Sequence, residues 1–373
     1  MKNNPFLTTG YHGPIYFCDR EVETESINNA LDNGRNLTLL SPRKMGKTGL
    51  IHHAFHKIKR LDPDIELFYM DIFSTQNLEE FVQLFASTVL GKLDTTSQKA
   101  MILFSKFIKS FRPVFSIDEF SGTPIITVNI SPERKESSLI EIFSYLQAAE
   151  KKCYIAIDEF QQIAEYPEKG VEALLRSHIQ FMSNVNFIFS GSKRHVMNEM
   201  FLSAKRPFFQ STQILTIDKI NKDNYFRFAA DFFNSQDREL TKETFSAIYE
   251  EFDGHTWYVQ TILNRLYSYQ EKPDYELAKY AISQIVSESG YMYENLLANY
   301  SASYIRLLKA IAQEKCVKEI NAGDFITQHK LKAASSVNTS LKKLIDKELI
   351  YKSTQGYIVY DRFMTYWLRQ QPY

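Results

Sequence analysis

Apolar residues fall along this chain in short unbroken runs, separated by stretches of helical spacing. LTLL (37–40), ELFYMDIF (66–73), CYIAID (153–158), VNFIFS (185–190) and QILTI (213–217) read as strands. Such near-continuous runs suit parallel strands covered on both faces. Between them lie amphipathic segments at 47–60, 77–92, 137–150 and 170–182; the first has Ile51, Ala54, Phe55 and Ile58 on one face. Strand and helix in alternation predict an α/β fold, a doubly wound parallel sheet. RPVFSIDEFSGTPIITVNIS breaks the rhythm: it reads as an antiparallel hairpin turning near Ser121 and Gly122, inside an insertion at about 100–136. After Asp218 the spacing is helical throughout. From Ser301 it changes to three short helices and a hairpin turning at Gln355-Gly356, the pattern of a winged helix-turn-helix. The expected domains are 1–217, 218–295 and 296–373.

One loop carries candidate chemistry. Ser41-Pro42-Arg43-Lys44-Met45-Gly46-Lys47-Thr48-Gly49 joins the first strand to the first long amphipathic helix. This strand–loop–helix context is what a phosphate-binding P-loop needs, because loop and helix N–H groups then converge on an anion. Lys47 would bring a point charge to the β- and γ-phosphates, and Thr48 a hydroxyl to Mg²⁺. The pattern G-x-x-x-x-G-K-[ST] has Gly where this chain has Ser41, which is tolerable if the serine keeps a negative φ.

A nucleotide site also needs carboxylates, and IDEF occurs twice, at 117–120 and 157–160. The second ends a buried strand, so Asp158 is expected at Mg²⁺ through water, and Glu159 at the attacking water. Asp118 and Glu119 fall in the hairpin and are expected to be solvated. The strand at 185–190 exits through Ser190-Gly191-Ser192. Ligands of open α/β sheets bind beyond such strand ends, so Ser190 and Ser192 are candidate γ-phosphate contacts; turn residues there have the same appearance.

Composition narrows the class. Apolar residues make up 44% and charged residues 24%, as in globular proteins; 28 Phe and 22 Tyr predict aromatic-rich cores. The net charge of zero gives no global attraction to nucleic acid or membrane. From Leu296 onward, however, 12 basic residues face 6 acidic ones. The third helix of that domain offers Ser336, Asn338, Thr339, Lys342 and Lys343 to a DNA groove. A protein contact fits the same surface, and both partners stay open. Cys18, Cys153 and Cys316 are few and far apart, which points to a reducing compartment and no zinc. No secretory leader or membrane span is legible, so a cytoplasmic protein is expected.

The ordered set of motifs resembles the archaeal-type ATPases of the AAA+/STAND branch of P-loop NTPases. FCDRE (17–21) resembles their F-x-GRE entry segment, SPRKMGKT their P-loop and CYIAIDEFQQI their Walker B strand. IFSGSKRHVMNEMF resembles the sensor strand and its helix, RPFFQSTQILTIDKI the last core strand, and YDRFMTYWL the D-P-F-x-x-x-W-L ending after a winged helix. DGHTWYVQ stands where the family has a G-x-P turn. The departures are Asp19 and Ser41 for glycines and Thr256 for proline. The resemblance implies ATP and Mg²⁺ as ligands, adenine contacts from Phe17, Asp19 and Arg20, and a helical lid at 218–295. It also implies an arginine finger from a neighbouring copy in a homo-oligomer. Arg206, in a segment poor in acidic residues apart from Glu199, is the candidate in trans, and Arg194 the candidate in cis. Two functional classes follow: an ATPase whose switch is read out by the winged helix, and a nucleotide-gated regulator with little hydrolysis.

Overall fold

The computed structural model describes residues 4–90, 112–117, 124–149, 151–353 and 355–371. They form two units, one of residues 7–225, the other of the N-terminal residues through Phe6 together with residues 226 onward.

The first unit is built on five parallel strands. In chain order they are β1 (Leu37–Leu40), β2 (Glu66–Asp71), β5 (Cys153–Asp158), β6 (Val185–Gly191) and β7 (Gln213–Thr216), and across the sheet they run β2-β5-β6-β1-β7. Every residue of β1, β5 and β6 is buried, as the unbroken apolar runs require. Alternate side chains feed two cores. Ile155 and Ile157 pack with Phe68, Phe85, Phe143 and Phe187 under the helices Leu78–Leu90, Lys135–Ala148 and Val171–Ile179. Tyr154 and Ala156 pack with Leu31, Leu37, Leu50 and Phe55 under the helices Glu21–Asp32 and Lys47–Leu61. Because all five strands are parallel, the C-terminal ends of β1, β5 and β6 meet at one edge; Leu39 lies opposite Ser190, and Asp71 opposite Asp158. The hairpin is present as β3 (Arg112–Ile117) paired antiparallel with β4 (Pro124–Asn129). Its turn, with Asp118 and Glu119, lies outside the described residues.

In the second unit, the helix Lys222–Asn234, which starts in the first unit, is followed by Lys242–Glu251, Thr256–Ser268 and Tyr275–Ala298. Thr241 and Asp274 cap two of them, accepting from the N–H groups of Thr244 and Leu277. Gly254 closes the helix before it with φ 61°, its N–H bonded to Tyr249 O at 2.7 Å. The helices Ala302–Glu314, Gly323–Gln328 and Ala334–Asp346 precede an antiparallel pair, β8 (Ile350–Lys352) and β9 (Tyr357–Val359). Ser335 and Ser336 are residues of the type that caps a helix, but the third of these helices starts at Ala334 behind Ala333, with no side-chain cap. The last helix, Arg362–Gln370, is capped by Asp361 and buries Phe363, Met364, Trp367 and Leu368. Phe363 packs against Phe252 and Tyr258, and Tyr258 Oη accepts from Arg362 N–H at 3.1 Å. The DGHTWYVQ segment is thus tied to the YDRFMTYWL ending within one unit.

Candidate functional site: a phosphate loop facing two carboxylates

The loop after β1 folds as its sequence allows. Left-handed backbone falls at Lys44 (φ 62°) and Gly46 (φ 92°), while Ser41 keeps a negative φ and is fully buried. Gly46 is also the N-cap of Lys47–Leu61 and lends that helix no side-chain bond, and no acidic residue occupies its first turn. The first-turn N–H groups therefore point to the loop without a competing carboxylate, the arrangement that favours an anion. Met45 is buried, Pro42 and Arg43 half-buried, and Lys44 exposed.

Lys47 is only 6% exposed and turns back onto the loop. Its ammonium donates to Ser41 O and Oγ, each at 3.3 Å, and to Pro42 O at 3.2 Å. Burial pushes it below the usual lysine range, against the upward pull of Asp158 and Glu159. These are long contacts to neutral acceptors, which an anionic phosphate oxygen outcompetes.

Asp158 ends β5 and is 3% exposed. Its Oδ2 accepts from Thr48 Oγ1 at 2.7 Å and from the Tyr69 hydroxyl at 2.9 Å, and its Oδ1 from Glu159 N–H at 3.0 Å. The next residue leaves the strand: Glu159 has φ 55° and ψ 38°, and a 3-10 turn, Phe160–Glu165, follows. That turn aims the Glu159 carboxylate at the exit of β6, where Ser192 Oγ donates to Oε2 at 2.8 Å and the Gln161 amide donates to the same oxygen. Arg43 Nε donates to Ser192 Oγ at 3.1 Å, linking the phosphate loop to Glu159 through that hydroxyl. Ser190 Oγ is buried without a partner among the described residues.

The donor set suits Mg²⁺. This ion takes few protein oxygens, with phosphate oxygens and water completing an octahedron. Thr48 and Asp158 are already within hydrogen-bonding distance of one another. No cluster of three or more His, Cys, Asp or Glu that could hold a metal occurs among the described residues.

Around the loop, the entry segment is firmly tied. Arg20, 5% exposed with φ 75°, donates to Glu23 at 2.7 Å, to Met45 O at 3.5 Å, and to Asp218 O beyond β7. Asp19 accepts from Asn224 at 3.1 Å. The Phe17 ring stacks on His53 at 4.4 Å and crowds Gly49, where a Cβ would lie 3.3 Å from it. Lys47, Thr48, Asp158, Glu159, Ser192 and Arg43 thus come together. Arg194 is exposed at the start of Arg194–Leu202. Arg206 departs from expectation, for it is ion-paired with Glu172 and reaches Glu199 at 3.6 Å. Its neighbourhood in sequence is poor in acids, but Glu172 arrives from another helix. Tyr69 and Gln161 were not legible as site residues. Tyr69 needs the knowledge that β2 pairs with β5, and Gln161 the left-handed turn at Glu159.

Among known proteins, solved structures share the fold, and two serve as examples. A Walker-type ATPase of Pyrococcus abyssi superposes with a TM-score of 0.65 at 17% identity, covering 98% of this chain and 99% of its own. The ORC2 protein of Aeropyrum pernix, solved as ADPNP-ADP complexes, gives 0.63 at 14% identity, covering 98% and 95%. At such identities the likeness is one of fold alone. A search of curated proteins returned no significant match. A probable winged helix domain matches residues 291–370. The ATPase domain family found predominantly in Archaea matches residues 17–262, most of the chain, and the protein belongs to that family.

Proposed function

We propose that the protein binds Mg-ATP at the shared edge of β1, β5 and β6 and hydrolyses it, driving a conformational change read out by the winged helix. The observation that carries the reading is the placement of Glu159 beside Asp158, braced by Ser192 and linked to the loop by Arg43. A protein that only held nucleotide would have no use for a second, braced carboxylate. In this reading Lys47 and the loop N–H groups of Ser41–Gly49 bind the phosphates. Thr48 and Asp158 hold Mg²⁺, which neutralises charge on the phosphate oxygens when bound. Glu159 orients the attacking water and takes its proton, and Ser190 and Ser192 lie on the γ-phosphate side. Phe17, Asp19 and Arg20 flank the adenine, in the place of the family's entry segment. Arg206 acts in trans only by exchanging its Glu172 pair for phosphate, in an assembly of copies.

The partner of the winged helix is read from one face of Ala334–Asp346. Val337, Leu341 and Leu344 are buried, while Asn338, Thr339, Lys342 and Lys343 are exposed. Short polar and basic side chains on one helical face suit DNA, and a protein partner with an acidic surface suits the same residues. The regulator reading, nucleotide binding with little turnover, keeps the same contacts without the water step.

The test is phosphate release from ATP with and without Mg²⁺ and DNA, together with ATP affinity. Lys47→Ala should weaken Mg-ATP binding by about 2 kcal/mol or more, the loss of a charge-assisted contact. Unchanged affinity in that variant would remove the P-loop reading.

A further inference from the structure

Glu159 has two carboxylate oxygens, and its neighbours hold only one. Ser192 Oγ and the Gln161 amide both donate to Oε2. Among the described residues no hydrogen bond reaches Oε1. Gln161 is 2% exposed, so water does not share its amide. The amide orientation follows from charge: Nε2 must face the carboxylate, because Oε1 there would set acceptor against acceptor. Gln161 Oε1 then points away and is buried without a partner among the described residues. An unpaired buried acceptor is unfavourable. A leucine of similar size would have no such cost, so the contribution of the amide lies at Nε2.

Gly191 fits the same picture. Its φ is not in the left-handed region, so the backbone does not call for glycine. A Cβ there would sit 2.3 Å from Gln161 Oε1 and 2.6 Å from Met197 Sδ. The missing side chain is the space in which the glutamine lies.

We propose that Gln161 is a positioning residue which, with Ser192, clamps Oε2 of Glu159 and leaves Oε1 to act on the attacking water, and that Gly191 is the room for this clamp. The inference rests on the reading of Glu159 as the water-activating carboxylate. A base fixed by two donors has one orientation, which is what a near-attack geometry needs. The charged groups facing Glu159 are Arg43 and Lys47 of the loop, Asp158 beside it, and Asp71 at the end of β2.

The test uses the full chain carrying Gln161→Leu or Gln161→Glu. It measures ATP turnover against pH, affinity for a fluorescent ADP analogue, and thermal unfolding against pH. Gln161→Leu should cut turnover by about tenfold or more while ADP affinity stays within about twofold. Gln161→Glu sets a second carboxylate against Glu159, so turnover should fall at least as far as in Gln161→Leu. Its folded-state carboxyl pKa is raised, so the melting temperature should fall further below wild type as pH rises. This penalty should shrink, without vanishing, when Glu159→Gln is added, because burial at position 161 raises the carboxyl pKa on its own. A wild type that turns over, with Gln161→Leu equal to it, overturns the inference and leaves the ATPase reading intact. Parallel loss of ADP affinity and turnover also overturns it, since that marks general damage. A wild type without turnover overturns the ATPase reading, and the unfolding cycle then judges the clamp alone. A pH-dependent penalty that Glu159→Gln reduces supports the clamp, and one that it leaves unchanged overturns it.

Discussion

His53 shows how far a single side chain is governed by its surroundings. It lies on the buried side of Lys47–Leu61, stacked on Phe17 and hydrogen-bonded to the Tyr11 hydroxyl at 3.0 Å. Burial, with Lys57 and His56 nearby, lowers its pKa to about 4. The unfolded chain binds the proton near the ordinary histidine value, so the depressed group stabilises the fold above about pH 6.5. That contribution is lost as pH falls towards 4. His53→Leu should therefore flatten the decline in melting temperature over this window, and an equally steep decline would show that other groups cause it. Ser41 is a second case. A glycine was expected at its position, yet the left-handed turns lie at Lys44 and Gly46, so the serine enters without strain. The sequence made that outcome conceivable through its GKT context, but only the backbone shows where the strain-prone positions lie.

Among the elements, those with the plainest pattern were legible and those defined by distant pairing were not. β1, β5 and β6 are buried along their whole length, and unbroken apolar runs mark them. Their order across the sheet depends on pairings between distant segments, Cys153 with Val185 and Leu37 with Ile188, which periodicity does not encode. Tyr69 stayed hidden as a site residue for that reason: its bond to Asp158 exists because β2 lies beside β5. The ion pair of Arg206 stayed hidden for the same reason, its partner Glu172 lying on a helix 34 residues earlier. The ending YDRFMTYWL was legible as a unit, and its first acid has a physical task. Asp361 caps Arg362–Gln370, accepting from Met364 N–H at 3.0 Å and from the Tyr293 hydroxyl at 3.3 Å. Asp361→Ala should cost about 1–2 kcal/mol of stability, as helix caps do, measured by denaturant unfolding. A change within a few tenths would mean the cap contributes little here.

For the whole molecule, the sequence carried the class of fold and the winged helix ending. It did not show that Phe6 belongs with the later helices, where it is fully buried against Phe228, Phe232, Phe233 and Tyr267. No helix among the described residues is long and apolar enough to cross a membrane. Assembly is the expectation held by Arg206. If it acts in trans, mixing Lys47→Ala protein with Arg206→Ala protein should restore part of the hydrolysis that each lacks. Hydrolysis independent of protein concentration, with Arg206→Ala as active as wild type, would place all the chemistry within one chain. The central claim is that Glu159, at the edge shared with the phosphate loop, activates water. Its most direct measurement is single-turnover hydrolysis of bound ATP in wild type, Glu159→Gln and Glu119→Gln. The account predicts that Glu159→Gln still binds ATP but turns over about 10²-fold more slowly, while Glu119→Gln matches wild type. A fully active Glu159→Gln, or a dead Glu119→Gln, would contradict it.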